Sequence, residues 1–236
     1  MKKRGRTTIR PITIETGVNI HAEGSALISM GNTRVLCTAS VEEKVPNWMA
    51  GKGKGWVTAE YGMLPRSTST RMNRERGGKT PSRSLEISRL IGRALRAGVD
   101  MEKLGERLIT IDCDVIQADG GTRTAAITGG MVALAMALKK LQDSGRVTKS
   151  PLVSLVAAVS VGIVDGKLVV DLDYDLDHRA EVDMNVAMTA KGKYVEVQGS
   201  AEGKPFSHED MQDMLAFAAI AIRHLVKAQK AALAKL

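Results

Sequence analysis

The chain has 236 residues, of which 44% are hydrophobic and only 3% aromatic, and it carries a formal charge of +8. That length fits one large domain or two intimate halves, and its apolar share suffices for an aliphatic core. The basic balance fits a polyanionic partner such as nucleic acid and, equally well on charge alone, a soluble protein with a solvated basic face. No apolar signal core follows the basic residues Met1 to Arg6, and no run of about 18 apolar residues offers a membrane span. Cys37 and Cys113 lie in strand-like apolar runs, which excludes a disulfide framework or a zinc site and points to a reducing, cytoplasmic setting.

Residues 11–40 read as strands. Ile12 and Ile14 alternate with polar neighbours, and Ala26-Leu27-Ile28 and Val35-Leu36-Cys37 flank the turn signal Gly31-Asn32. Residues 44–80 are expected to form a long basic loop. They hold Gly51-Lys52-Gly53-Lys54-Gly55, then Arg66, Arg71, Arg74, Arg76 and Lys79. The spacing of Leu85, Ile87, Leu90, Ile91, Ala94 and Leu95 predicts a helix over 82–97. A strand over 107–117 carries Ile109, Ile111, Cys113 and Val115 on one face.

The turn Asp119-Gly120-Gly121 leads into a second helix, predicted from Thr124 to about Gln142 and apolar or small nearly all round, hence buried. Strands over 152–164 and 167–174 meet at the hairpin signal Asp165-Gly166. Strands over 180–189 and 193–199 turn at Lys191-Gly192. The last helix starts at Ser207, with Asp210 three residues on as a capping pair. This order predicts an α+β or mixed α/β architecture.

Asp119-Gly120-Gly121-Thr122-Arg123-Thr124 joins a strand to the start of a buried helix. Paired glycines let backbone approach a ligand, and a helix start offers free N–H groups and a positive dipole end. Thr122 adds a hydroxyl and Arg123 a fork of donors that suits phosphate. The spacing is neither a Walker loop nor a dinucleotide fingerprint. On the local pattern alone, a tight turn with a surface arginine remains the plainer reading.

On the preceding helix Arg89, Arg93 and Arg96 share one face, and Arg83 lies near its start. A solvated basic face accounts for Arg93 and Arg96, and Glu86 can partner only one cation. Asp171, Asp173, Asp175 and Asp177 fall at alternate positions and project from one face if the strand continues through them. For Asp171, Asp173 and Asp175 a solvated face is the simplest reading. Asp183 differs, because its neighbours in Ala180-Glu181-Val182-Asp183-Met184-Asn185 look buried. Crowded carboxylates raise one another's pKa or recruit a hard divalent ion such as Mg²⁺ or Mn²⁺. His178 beside these acids reads as simply paired, and no nucleophilic triad or zinc spacing is present.

Several ordered segments now carry a family resemblance. They are Arg10-Pro11-Ile12, Gly31-Asn32-Thr33, and Gly53-Lys54-Gly55-Trp56-Val57-Thr58-Ala59-Glu60-Tyr61 with Met63-Leu64-Pro65-Arg66. Glu86-Ile87-Ser88-Arg89-Leu90-Ile91-Gly92-Arg93, the run from Ile111 to Thr124, and Ala180 to Asn185 complete the set. Over nearly its whole length the chain resembles bacterial ribonuclease PH. Leu176 and His178 depart from that pattern, where the family more often has an acid and a serine beside the equivalent of Asp177.

The resemblance implies an α+β unit of two related βα halves, about 10–142 and 151–228, assembled as a homohexameric trimer of dimers. It implies a phosphorolytic 3′→5′ exoribonuclease that trims tRNA precursors and releases nucleoside diphosphates. Phosphate would be held by Arg83, Gly121, Thr122 and Arg123, with Asp177 and Asp183 as catalytic carboxylates and ligands of the required Mg²⁺. The loop with Arg66, Arg71, Arg74 and Arg76, together with Arg89 and Arg93, would serve RNA approach or subunit contact. DNA is not an expected partner. The rival readings are a catalytically silent RNA-binding scaffold subunit of an RNA-degrading ring, a two-metal hydrolytic nuclease, and a small-molecule kinase.

Overall fold

The computed structural model describes residues 5–74 and 81–235, so the expectations placed on Arg76 and Lys79 lie outside the described residues. Strands β1 (Ile12–Thr16), β2 (Gly24–Met30), β3 (Thr33–Glu42), β4 (Trp56–Met63) and β5 (Leu108–Gln117) form one sheet in the order β1-β2-β3-β5-β4. Its pairings are antiparallel except β4 with β5. Strands β6 (Val156–Val164), β7 (Lys167–Val170), β8 (Ala180–Thr189) and β9 (Tyr194–Ala201) form a second, antiparallel sheet in the order β7-β6-β8-β9. The helices are α1 (Ser82–Arg96), α2 (Met101–Leu104), α3 (Thr122–Asp143), α4 (Tyr174–His178) and α5 (His208–Leu233).

The strand periodicity of the sequence places one face of the first sheet inward. Val35, Cys37 and Ala39 on β3 and Ile109, Ile111, Cys113 and Val115 on β5 are all buried. Helix α3 packs against β2, β3 and β6, and its residues join both sheets in one aliphatic core. It is long and apolar enough to cross a membrane, but 83% of its most apolar window is buried inside the fold, as a core helix requires. Cys37 and Cys113 face each other across β3 and β5 as buried free thiols.

A polar clasp fastens α3 to the second sheet. The Thr128 hydroxyl donates to Ala158 O (3.3 Å) and accepts from Ala158 N (3.1 Å), the pair of bonds a neighbouring strand would make. From α5, Gln229 Nε2 donates to Thr128 O (2.9 Å) and to Val156 O (2.8 Å).

The structure corrects the sequence reading at five points. The expected loop over 44–80 contains β4, whose buried Val57, Ala59 and Tyr61 alternate at period two behind a Gly/Lys-rich flank. Helix α3 begins at Thr122, two residues early, with Gly121 as its N-cap. The four alternate aspartates do not share a strand face. Strand β7 ends at Val170, Asp171 turns the chain at φ 56°, and the Asp173 carboxylate caps α4 by accepting from Leu176 N (3.0 Å). The short α2, capped by Asp100, had no periodic signal to announce it. Arg96 is half-buried rather than a free surface cation, since it donates to Val57 O (2.9 Å) and lies 4.3 Å over the Trp56 ring. The capping box of Ser207 and Asp210 forms as expected.

Thr128→Val keeps the shape of the clasp but strands the N–H and C=O of Ala158 in the core. Urea unfolding should show a loss of about 2–6 kcal/mol, from roughly 1–3 kcal/mol for each of the two unsatisfied buried groups.

Candidate active site

The centre of the site is a turn held from several directions. Asp171, fully buried, receives Arg10 three times: from the backbone N (2.6 Å), from Nε (3.0 Å) and from Nη2 (2.6 Å). The rest of the guanidinium reaches the turn, where Nη1 donates to Asp119 O and Nη2 to Gly120 O (3.4 Å). Thr33 Oγ1 donates to Gly120 O (2.6 Å) and accepts from Asp119 N (3.0 Å). The Asp119 carboxylate accepts from Asn32 Nδ2 (3.1 Å) and Tyr174 N (3.3 Å).

Gly120 and Gly121 both lie at positive φ, 67° and 65°. A Cβ on Gly120 would stand 2.5 Å from the Asp173 carbonyl carbon, so only glycine fits there. Gly121 caps α3 without any side chain, which leaves the first N–H groups of a 22-residue helix open to an anion.

Two side chains of the first turn are set from outside. Thr122 Oγ1 bonds the buried Tyr61 hydroxyl at 2.9 Å. Arg123 Nη1 donates to Gln198 Oε1 (3.4 Å) and lies 3.7 Å from Glu86 Oε1, while Gln198 Nε2 donates to that same Glu86 oxygen (3.1 Å). Glu86 therefore partners Arg123 rather than an arginine of its own helix.

The carboxylates face this cationic corner. Burial raises the Asp183 carboxyl to about 6, the negative Asp177 adds to the rise, and Arg123 and Asn185 offset part of it. Among the described residues, Asp183 Oδ1 is buried with no hydrogen-bond partner, whereas Oδ2 receives a long bond from Asn185 Nδ2 (3.4 Å). Burial also raises Asp177, against the opposing charges of Arg123, Arg83 and His178. The hydroxyl of Tyr61 is raised by burial, with Arg83 and Arg123 opposing. Arg83, Thr122, Arg123, Asp177 and Asp183 thus share one electrostatic environment beside Gly121.

Other expected residues make contacts of their own or face solvent. Arg66, on the surface, donates to Ser69 O; Arg71, Arg74 and Arg89 are exposed; and Arg93 is paired with Glu196 (3.0 Å). None of Arg66, Arg71, Arg74 and Arg89 forms an ion pair among the described residues. Arg10 and Asp171 were missed as site residues, because 161 positions separate them. Tyr61 and Gln198 were missed too. Their signal is weak: one aromatic in an aromatic-poor chain, and one amide on an exposed strand.

The model for the 3′ exoribonuclease family, domain 1, matches residues 8–140, and that for domain 2 matches residues 154–221. The chain belongs to the 3′ exoribonuclease family of ribonuclease PH type. Several solved structures share the fold of this family member. Rice (Oryza sativa) Rrp46 superposes with a TM-score of 0.78 at 16% identity, over 98% of each chain. The Archaeoglobus fulgidus exosome with RNA bound to its active site gives 0.78 at 21% identity, over 95% of this chain and 90% of that one. An archaeal exosome core gives 0.76 at 20% identity, over 96% and 89%.

Arg10→Met should remove the guanidinium that bonds both oxygens of the buried Asp171 carboxylate, at a cost of about 3–5 kcal/mol in urea unfolding. Adding Asp171→Leu should recover much of that loss.

The carboxyl of Asp183 makes a separate prediction for this exoribonuclease-family chain. Its folded pKa, about 6, lies above the unfolded value of 3.8. The folded state thus holds the proton more tightly, and its stability falls as pH rises from about 4 to about 6, staying low above that. In a chelator-containing buffer near pH 7.5, Asp183→Asn should stabilise the protein by about 2–3 kcal/mol, and the gain should vanish near pH 4. Parallel unfolding curves of the two proteins across this range decide it.

Proposed function

We propose that this chain is a phosphorolytic 3′→5′ exoribonuclease acting on the 3′ ends of tRNA precursors. One observation carries the reading: a buried carboxylate oxygen of Asp183, without a hydrogen-bond partner among the described residues, stands in the same electrostatic corner as Arg123 and the start of α3, which no side chain caps. A scaffold gains nothing from such an arrangement, whereas a site that handles a phosphate and a proton requires both.

Inorganic phosphate would sit at the N–H groups after Gly121, with the hydroxyl of Thr122 and the guanidinium groups of Arg123 and Arg83 as further donors. Since Tyr61 Oη can donate to Thr122 Oγ1, the Thr122 proton stays available for the anion. One phosphate oxygen bonds to the phosphorus of the last phosphodiester, the bond from that phosphorus to the 3′ oxygen breaks, and a nucleoside diphosphate leaves. The shortened RNA needs a proton at its new 3′ oxygen. Asp183, raised to about 6, can hold one near neutrality. Pre-set cations offset the charge of two phosphates brought together, with no reorganisation at the moment of reaction.

The donor set of this corner fits Mg²⁺. Two carboxylates with a free oxygen suit a hard ion that takes its remaining ligands from water and substrate phosphates. With Asp183 ionised, Asp177 and Asp183 would hold it, and it would then neutralise charge at the scissile phosphate in place of a proton from Asp183. The basic loop residues Arg66, Arg71 and Arg74 would guide the RNA or meet a neighbouring subunit in a homohexamer, a trimer of dimers.

A second reading, a catalytically silent RNA-binding subunit of a ring, is supported by the likeness to exosome structures. One assay separates the two. A tRNA carrying extra 3′ nucleotides is incubated with Mg²⁺, with and without phosphate. Nucleoside diphosphates should appear only with phosphate. Arg123→Ala should raise the phosphate KM, and Asp183→Asn should cut kcat by about 10²–10⁴. Monophosphates released without phosphate would assign hydrolysis instead. No product in either condition, with RNA still bound, would establish the scaffold.

A further inference from the structure

Between the C-terminal half of α5 and the turn joining β8 to β9 lies an open groove of about 480 Å³. It stands apart from the corner around Asp183. Met188, at its edge, is five residues farther along β8, about 17 Å at roughly 3.4 Å per residue. Ile222 and Val226 give the groove an aliphatic floor, and no aromatic ring lines it. Its rim is cationic on both sides. Arg223, Lys227 and Lys230 follow one another at helical i, i+4 and i+7 along α5, and Lys191 faces them from the turn.

Nothing among the described residues balances these charges. None of the four cations forms an ion pair among the described residues, no acid lines the groove, and the sequence has no Asp or Glu after Asp213. The helix dipole favours a cation only in the last turn, which accounts for Lys230 and leaves Arg223, Lys227 and Lys191 unexplained. Like charges one turn apart destabilise a helix, so the stripe has a cost that a complementary partner would offset.

We propose that this groove docks an acidic amphipathic segment of a partner protein. Apolar side chains on one face of the segment would enter between Ile222 and Val226, and flanking Asp or Glu carboxylates would meet Arg223, Lys227 and Lys191. Single-stranded RNA is the less suitable occupant, because sites for it combine cations with aromatic rings on which bases stack. The proposal stands independently of the phosphorolytic reading.

The test selects from a phage-displayed library of random peptides against the full-length protein. Binding of an enriched, fluorescently labelled peptide is then measured by polarisation. Enriched sequences should pair apolar residues at helical spacing with flanking acids. The double variant Arg223→Glu/Lys227→Glu should bind roughly tenfold more weakly or worse. Lys191→Glu, in the opposite wall, should act in the same direction if α5 itself tolerates no change. Selection of no acidic apolar motif, or undiminished binding by both variants, overturns the proposal. So does a short single-stranded oligoribonucleotide that displaces the peptide and itself loses affinity in the variants. A change of oligomeric state in the variants, seen by sedimentation, would make the groove a contact between copies instead.

Discussion

The contact between Arg10 and Asp171 is the constraint on which the site is built. Arg10 precedes β1 in the first sheet and Asp171 follows β7 in the second, so one buried pair ties together elements 161 residues apart. Its worth is positional more than energetic, because desolvation of both charges offsets most of their attraction. A planar fork of donors can divide itself between a carboxylate and two peptide carbonyls, as Arg10 does with Asp171, Asp119 and Gly120. A lysine, with one compact ammonium, could not span that set. The positive φ of Asp171 belongs to the same arrangement, since it swings the carboxylate back toward Arg10 and sends the chain on to α4.

Once the turn is fixed, the rest of the corner follows from where the elements lie. Thr122 and Arg123 come from the helix shared by both sheets, Arg83 and Glu86 from the helix beside β4, and Asp177 and Asp183 from the second sheet and its flanking turn. No single half contains both the anion pocket and the acids. The clasp of Thr128 and Gln229 on β6 is therefore as much part of the site's geometry as the residues that line it. Stability is given up locally to keep Asp183 buried with one oxygen unbonded among the described residues, a cost typical of positions held for chemistry.

The sequence announced what is periodic or local. Strands β2, β3, β5 and β8, helices α1 and α5 and the capping box at Ser207 follow from spacing alone, and the glycine turn was visible as a possible anion site. Long-range polar pairing was not visible. Nothing near Asp171 distinguishes it from the neighbouring Asp173 and Asp175, yet it is buried and ion-paired while they stand at the start of a short helix. Arg96 reads as a surface cation until Trp56, folded from a segment taken for loop, supplies its ring. Strand β4 was masked by the glycines and lysines before it, although Val57, Ala59 and Tyr61 carry the alternation. The resemblance to ribonuclease PH contributed Arg83, which helix spacing left ambiguous.

The two carboxylates of the corner are unequal, and the inequality bears on what each can do. Asp177 sits among Arg123, Arg83 and His178, all of which favour its anion. Asp183 is more deeply buried, has Asp177 as a repelling neighbour, and among its perturbing charges counts only Arg123 as a cation. Burial raises both acids, and the repulsion of Asp177 and the fewer cations around Asp183 leave Asp183 the better proton holder, which divides the labour between charge and proton. In the phosphorolytic reading, Asp177 is then the standing anion that attracts the divalent ion, and Asp183 is the group whose proton moves with the scissile bond. The same pair in a silent subunit would have no reason to differ, since a surface that merely binds RNA needs cations, and two acids beside them only weaken its field.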